Sequence, residues 1–274
     1  MSKTISFRAL KNYIWFFIGC SLLTLYMDSI KRVLITKQGK KFYAKDLEQD
    51  LHTQHGFVKK DEMKKAKSGD SIKSNTDKEF FIFEPSFIDL YRKIKRDAQI
   101  IPLKDVGFII AETGINKESR ILDAGAGSGA LSCFLASVAK EVVTYEIRED
   151  FIEIVKRNIK FLGLKNIKIK NKNIYSEIEE KDMDVITLDV PEPWNAIDNC
   201  AKALKPGGFI VSYSPSIPQV ADFVNTIKKN ENFVYLKTVE ISEREWEVEE
   251  RKVRPKSQGI GHSGFLSFAR KVTK

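Results

Sequence analysis

The residues best suited to chemistry in this chain of 274 residues stand at the ends of apolar runs. In Ile186-Thr-Leu-Asp-Val-Pro-Glu-Pro-Trp194, Asp189 closes such a run and two prolines stiffen the chain just beyond it. In Ile121-Leu-Asp-Ala-Gly-Ala-Gly-Ser-Gly129, Asp123 precedes glycines at alternate positions. In Val143-Thr-Tyr-Glu146 a third carboxylate ends a third run. Carboxylates fixed at strand tips suit a ligand that brings hydrogen-bond donors or positive charge, and they repel a pyrophosphate.

The glycine-rich segment carries the first inference. A turn without side chains lets a ligand approach the backbone closely. The Gly125, Gly127, Gly129 spacing departs from the G-x-G-x-x-G of dinucleotide sites. With Asp123 in front, it fits S-adenosylmethionine, which has a sulfonium and an ammonium and no phosphate. The expected cofactor contacts are Asp123, Gly125, Gly127, Ser128, Gly129 and Ala130. Glu146 at the next tip is expected to accept from both ribose hydroxyls. A purely structural tight turn would account for the glycines, but not for Glu146 in register beside them.

In a parallel sheet, ligands bind beyond the carboxyl ends of the strands, which puts Asp189 beside the methyl donor. Pro191 fixes the loop and Trp194 offers a flat face, so the expected substrate is planar and hydrogen-bonding, as a nucleobase is. Two plainer readings stay open: Asp189 as a helix N-cap, and Trp194 as core packing. Methylation at pyrimidine C5 through a thiol would need a cysteine in this loop, and Cys200 falls in the following helix. Cys20, Cys133 and Cys200 form no CxxC and no zinc pattern, which points to free thiols in a reducing, cytoplasmic compartment. His52 and His55 lack a third ligand nearby, so no metal site is expected.

Apolar strands alternate with helix-length segments from Ile100 onward, the signature of an α/β fold with a mostly parallel sheet. Strands are expected at Arg120 to Leu122, Glu141 to Tyr145, Ile167 to Lys170, Asp184 to Leu188 and Phe209 to Tyr213. Helices are expected at Ala130 to Val138, Asp150 to Phe161, Asn195 to Ala203 and Pro218 to Lys228. Tyr235 to Ser242 and Gly264 to Ala269 read as an antiparallel C-terminal strand pair at the sheet edge, joined by a charged insertion. Upstream, a hairpin around Gln38-Gly39-Lys40, short strands at Ser71 to Lys73 and Phe80 to Pro85, and a charged loop at Lys59 to Lys67 read as a small β-rich domain. The expected organisation is an extension over 1–26, a basic β-rich domain over 27–95 and a catalytic domain over 96–274.

The formal charge is +9, and all of the excess lies in the first 104 residues. Such a field favours an anionic partner, although a solvated lysine-rich face is the plain alternative. Tyr13 to Met27 is almost continuously apolar after a basic start. It is short of the roughly 20 residues that cross a bilayer, and Met27 is the expected functional start, with no stable membrane association.

Taken together, LDAGAGSGALS at 122–132, YEIRED at 145–150, LDVPEPW at 188–194 and RPKSQGIGHSGFLSFARK at 254–271 resemble the tRNA (adenine-58-N1)-methyltransferases of bacteria and archaea. LHTQHG at 51–56 and RDAQIIPLKD at 96–105 are similar to that family's N-terminal module and linker. The resemblance implies a class I, Rossmann-like methyltransferase fold and methylation of adenine N1 in the T-loop of tRNA. It implies further cofactor contacts at Gln99, Asn173 and Asp189, and a homotetramer. Asn173 stands where many members carry an aspartate beside the cofactor adenine, and Lys256 to Ile260 differs from the usual histidine-containing version. Adenine N1 has an in-plane lone pair, so the enzyme need only orient it. Asp189 is the expected catalytic group, accepting from the N6 amino group and stabilising the cationic product. Trp194, Tyr213 and His262 are the expected base contacts, with a structural turn role open for His262. Two rivals remain: a protein carboxyl or small-molecule methyltransferase of the same fold, and a non-enzymatic RNA-binding protein.

Overall fold

The computed structural model describes residues 29–257, 259 and 261–272. The extension over 1–26, the Met27 start and Cys20 lie outside them. The chain divides into two compact units, one up to Lys93 and one from Ile94 onward.

The first unit holds β1 (Arg32–Ile35), β2 (Lys41–Ala44), β3 (Leu51–Thr53), β4 (Gly56–Val58), α1 (Lys60–Lys65), β5 (Ser71–Lys73), β6 (Glu79–Phe83) and α2 (Phe87–Tyr91). Four strands form an antiparallel sheet in the order β2-β1-β6-β5, and β3 pairs with β4 as a separate hairpin. The hairpin around Gln38-Gly39-Lys40 is present, with Gly39 at φ +82, a left-handed value that glycine adopts without strain. The charged segment expected to be a loop is instead α1. Asp61 and Glu62 occupy its first turn and Lys64 and Lys65 its last, matching the helix dipole at both ends. Its one apolar anchor, Met63, is fully buried against Leu34, Val58, Phe80 and Ile82.

The second unit holds α3 (Leu103–Thr113), β7 (Arg120–Ala124), α4 (Ala130–Ala136), β8 (Glu141–Glu146), α5 (Glu149–Leu162), β9 (Ile167–Asn171), β10 (Met183–Leu188), α6 (Ile197–Ala203), β11 (Leu204–Ser214), α7 (Ile217–Lys229), β12 (Phe233–Glu240), β13 (Trp246–Glu249), β14 (Lys252–Pro255) and β15 (Phe265–Lys271). The seven-stranded sheet runs β12-β15-β11-β10-β7-β8-β9. Its strands from β11 to β9 are parallel, and β15 pairs antiparallel with both β11 and β12. The antiparallel pair thus stands at the edge, as its long alternating strands predict. The charged insertion between them folds into the β13–β14 hairpin.

From β7 the chain builds outward through β8 and β9 on one side, then returns to add β10 and β11 on the other. The switch point therefore lies between β7 and β10, where such sheets bind ligands. Helix α5 shows how the faces are covered. It buries Phe151, Ile152, Ile154, Val155, Asn158 and Leu162, a stripe at helical spacing. The helix ends at Gly163 in the left-handed conformation, a standard stop. The segment expected to be helical from Asn195 opens instead as a 3-10 turn over Pro193–Ala196, with α6 starting at Ile197.

Candidate active site

The three carboxylates fall at the C-terminal ends of neighbouring strands, and the structure gives each a different employment. Asp123 is 1% exposed. Its carboxylate accepts from the hydroxyls of Thr187 at 2.6 Å, Thr144 at 3.3 Å and Ser132. Burial pushes its pKa up, the hydroxyl contacts oppose this, and the Glu146 charge adds to the rise. That carboxylate is spent on pinning β7, β8, β10 and α4 together beneath the loop.

The loop itself is shaped by its glycines. Gly125 N–H and Ala126 N–H both donate to the Tyr145 carbonyl, at 3.1 and 3.2 Å. Gly127 at φ +50 has only the Ala98 methyl near its bare face, at 3.6 Å. Ser128 is buried, and its hydroxyl accepts from the backbone N–H groups of Asp97 and Ala98 at 3.1 and 3.3 Å. The segment before α3 is thus drawn over the loop, which places Gln99 beside it at an exposed position. Asn158, buried on α5, completes the tie. Its amide donates to Lys95 O and Ser128 O at 2.9 and 2.8 Å, and accepts from Lys95 N–H at 2.9 Å. Ala130 opens α4 and is buried beneath the loop.

Glu146 is buried at the end of β8. One carboxylate oxygen accepts from Gly127 N–H at 2.9 Å, and the other from Ile147 and Arg148 N–H at 2.9 and 3.0 Å. A carboxylate has about four lone-pair sites, so it retains acceptor capacity toward a ligand. Gly125, Glu146, Ile147, Asn173, Tyr175 and Pro191 line one cleft, with Lys172 at its wall. Lys172 is paired with Glu179. Asn173 turns its side-chain oxygen to Tyr175 N–H at 3.0 Å. Tyr175 is a cleft residue that no sequence signal marks. It sits in a polar stretch, Asn171 to Ser176, without periodicity, and its position follows from its hydroxyl accepting from Glu192 N–H at 3.1 Å.

Asp189 meets this cleft through its backbone. Its N–H donates to Ala124 O at 2.9 Å, which locks the loop after β10 to the glycine loop after β7. The side chain is half-buried, and burial, with a smaller push from the Asp123 charge, raises its pKa to about 7. Asp189 does not cap a helix: the following 3-10 turn takes Glu192 at its N-cap.

Trp194 packs against the sheet core, in line with its plainer reading. Tyr213, near the end of β11, is buried and donates its hydroxyl to Ser263 O at 2.6 Å. Burial raises its pKa to about 12, the hydrogen bond opposes this, and the Asp105 and Asp189 charges add to the rise. Leu188 on β10 stands opposite Ser212 on β11 in the parallel register, so Asp189 and Tyr213 are the next positions along neighbouring strands. His262 is exposed and bridges two strand ends, with Nδ1 2.5 Å from Glu240 Oε1 and Nε2 3.1 Å from Pro215 O. Both partners are acceptors, so the pair of contacts favours the doubly protonated ring, the only form in which both nitrogens donate. The hydrogen bond to Glu240 is the main reason its pKa rises above the ordinary histidine value.

Among the described residues no group of three histidine, cysteine or carboxylate side chains could hold a metal, and no helix is long and apolar enough to cross a membrane. Cys133 and Cys200 are buried free thiols, and burial raises both, Cys133 to about 12. Burial thus disfavours the thiolate, the nucleophilic form, at both positions.

Residues 90–260 match the family model described as the tRNA methyltransferase complex GCD14 subunit. A tRNA (adenine(57)-N(1)/adenine(58)-N(1))-methyltransferase of Methanocaldococcus jannaschii is 35% identical over 87% of this chain and 94% of its own. A solved structure described as a SAM-dependent O-methyltransferase from Thermotoga maritima superposes with a TM-score of 0.81 at 31% identity, covering 90% of this chain and 94% of that one. The tRNA (m1A58) methyltransferase of Aquifex aeolicus gives 0.77 at 29% identity, covering 89% and 97%.

Proposed function

Since this chain belongs to the family of tRNA (adenine-N1)-methyltransferases, we propose that it methylates N1 of an adenine in the T-loop of tRNA, with S-adenosylmethionine as donor. The observation that carries the reading is the bond from Asp189 N–H to Ala124 O. It stations a carboxylate of raised pKa at the rim of a glycine-walled cleft.

The cleft's chemistry fits the cofactor. Gly125 leaves its wall bare, Glu146 offers acceptors for two ribose hydroxyls, and Ile147, Asn173, Tyr175 and Pro191 form a flat, weakly polar slot suited to an adenine. Its one lining cation among these residues, Lys172, is engaged by Glu179, so nothing there recruits a pyrophosphate. When bound, S-adenosylmethionine supplies an electrophilic methyl group on a sulfonium. The protein's task is to orient the N1 lone pair, which needs no base, and to meet the positive charge that develops on the ring. Asp189 accepts from the N6 amino group and takes that charge. Tyr213 backs the base from β11, and Trp194 stiffens the loop from the core side. Gln99, Ser128, Gly129 and Ala130 belong to the cofactor wall, and Asp123 supports it from below.

Recognition of the tRNA draws on the first unit. Its turns at 36–40, 53–56 and 74–78 are tied to one another by Lys40 to Gln54, Lys78 Nζ to Gln38 Oε1 at 3.0 Å, and Thr76 Oγ1 to His55 O at 2.9 Å. They bring Lys37, Lys40 and Lys78 to one end, where phosphate contacts would make binding steeply salt-dependent. Self-association as a homotetramer draws on the β13–β14 hairpin. Trp246, Val248 and Val253 are exposed there by 53%, 67% and 56%, and a two-stranded ribbon with a bare apolar face is marginal alone. The free thiols suit a cytoplasmic setting.

A second reading, methyl transfer to oxygen, draws on the same Asp189. Near neutrality a carboxylate of raised pKa can take up a hydroxyl proton. Incubation of unmodified tRNA with protein and S-adenosylmethionine, followed by nucleoside mass spectrometry, separates the two. 1-Methyladenosine is the expected product, and an O-methylated nucleoside or none would overturn the proposal.

A further inference from the structure

Behind Tyr213 lies a buried ionic cluster to which the reaction assigns no part. Lys104 and Asp105 open α3, and Ser263 and Gly264 precede β15. Asp105 is 0% exposed, and the Lys104 side chain only 9%. Lys104 Nζ lies 2.9 Å from both Asp105 oxygens and 2.6 Å from Ser263 Oγ. Ser263 Oγ in turn donates to Asp105 Oδ2 at 2.9 Å. The serine hydroxyl therefore receives from a cation and gives to an anion, which leaves it one orientation. Its own carbonyl is the acceptor for the Tyr213 hydroxyl. A Cβ on Gly264 would run into the Tyr213 ring, so the ring rests directly on that backbone.

Burying such a pair costs more desolvation than an apolar contact of equal volume would. Packing α3 against the end of β15 does not require charge. What charge adds here is direction: three hydrogen bonds of fixed sense converge on one residue whose carbonyl holds Tyr213. The two halves of the cluster stand far apart in the chain, in RDAQIIPLKD and GHSGFL, and neither segment by itself gives Lys104, Asp105 or Ser263 a use. We propose that Lys104 is a positioning residue for methyl transfer, clamping residues 263–264 through Asp105 and Ser263 so that Tyr213 stays seated beside Asp189. The proposal rests on the reading that Asp189 and Tyr213 face the reacting base. It goes beyond that reading by assigning a role to a side chain that need not touch the tRNA or the cofactor.

The test is a set of variants of the full chain, compared by single-turnover methylation of unmodified tRNA at saturating S-adenosylmethionine. Cofactor affinity, tRNA affinity and thermal unfolding are measured alongside. Lys104→Met alone strands a buried carboxylate and should destabilise. The double variant Lys104→Met with Asp105→Asn removes both charges and should unfold near the parent temperature. Its affinities should stay within about twofold of the parent, while its rate falls by about a hundredfold, the scale set by a small misplacement of a reacting geometry. Introduced into Tyr213→Phe, the same double change should cost little more, since residues acting as one unit are non-additive. Ser263→Ala, which keeps the pair and cuts its link to the loop, should reproduce the rate loss if the double variant does not fold. A double variant at the parent rate, a loss confined to tRNA affinity, or a full loss repeated on top of Tyr213→Phe would each overturn the clamp alone. A parent protein that binds the cofactor and leaves tRNA unmethylated would overturn the proposed function, and the clamp with it.

Discussion

The carbonyl oxygen of Asp189 occupies the place where a side chain on Gly125 would begin, and the Asp189 N–H is bonded to the neighbouring Ala124 O. The two loops at the switch point are therefore one unit, closed only because residue 125 has no Cβ. Gly125 also sits at φ +85, in the left-handed region. Gly125→Ala should cost the strain of that conformation, about 1–3 kcal/mol, and in addition push the two loops apart. Gly114→Ala is the matched control, since Gly114 has φ +68 and nothing within 4 Å of its bare face. Thermal unfolding should show the larger loss at Gly125. Calorimetry should show cofactor binding abolished there and kept at Gly114.

Asp189 carries a pH signature. Burial raises its pKa from 3.8 to about 7, so the folded state holds a proton that the unfolded chain has lost anywhere between those values. Stability from this group is thus full at low pH and declines as pH rises toward 7. Under the proposed mechanism activity should run the other way, because the charged form is the one that would stabilise the methylated ring. Single-turnover rate should climb with pH through about 7 and then level off. Asp189→Asn should lower the plateau by the equivalent of about 2.7–4 kcal/mol, the scale of one preorganised electrostatic contact, and remove the pH step. The same variant should unfold at a higher temperature than the parent above neutral pH. A parent-like rate for Asp189→Asn would refute the role given to this loop.

How much of this was legible in sequence depends on what each residue answers to. The strand tips and the glycine loop could be read because apolar runs end abruptly there, and β12 with β15 because long alternating strands need an edge. Met63 could not be read as a core residue. A single apolar position among lysines and acids gives no periodicity, and α1 forms because that one side chain fills the sheet's underside. Asp123 stands at the expected tip, but its hydroxyl partners Thr144 and Thr187 sit on the two neighbouring strands and could be known only once the strand order was fixed. Asn158 and the Lys104–Asp105 pair were invisible for a common reason. They are polar groups buried by contacts with segments 30 or more positions away, and no local pattern marks them.

His262 should report the C-terminal strand ends. Its ring nitrogens face Glu240 and Pro215 O, and its pKa is raised mainly by the Glu240 contact. A raised histidine contributes stability that is complete below its unfolded value, near 6.5, and is lost as pH rises through the folded value. The ring is exposed, so the effect is small. Proton NMR should give a His262 midpoint above 6.5, and Glu240→Gln should bring it down. His262→Ala should lower the unfolding temperature more at mildly acidic than at alkaline pH.

Along β13 and β14, Trp246 pairs with Pro255 and Val248 with Val253, while Glu247 pairs with Arg254 and Glu249 with Lys252. One face is therefore apolar and bare, and the other is laced by ion pairs, Arg254 Nε to Glu247 Oε2 at 2.6 Å among them. If the bare face is covered by another copy of the chain, Trp246→Lys with Val248→Glu should shift the mass measured by light scattering toward smaller species. The change leaves the ion-paired face intact, and the cleft residues Glu146 and Asn173 belong to other strand ends, so cofactor affinity should hold. Changing only the opposite face, with Glu247→Gln and Arg254→Gln, should leave the mass unchanged, because exposed ion pairs contribute about 0–1 kcal/mol each. An unaltered mass in the apolar-face variant would remove the hairpin as the basis of assembly.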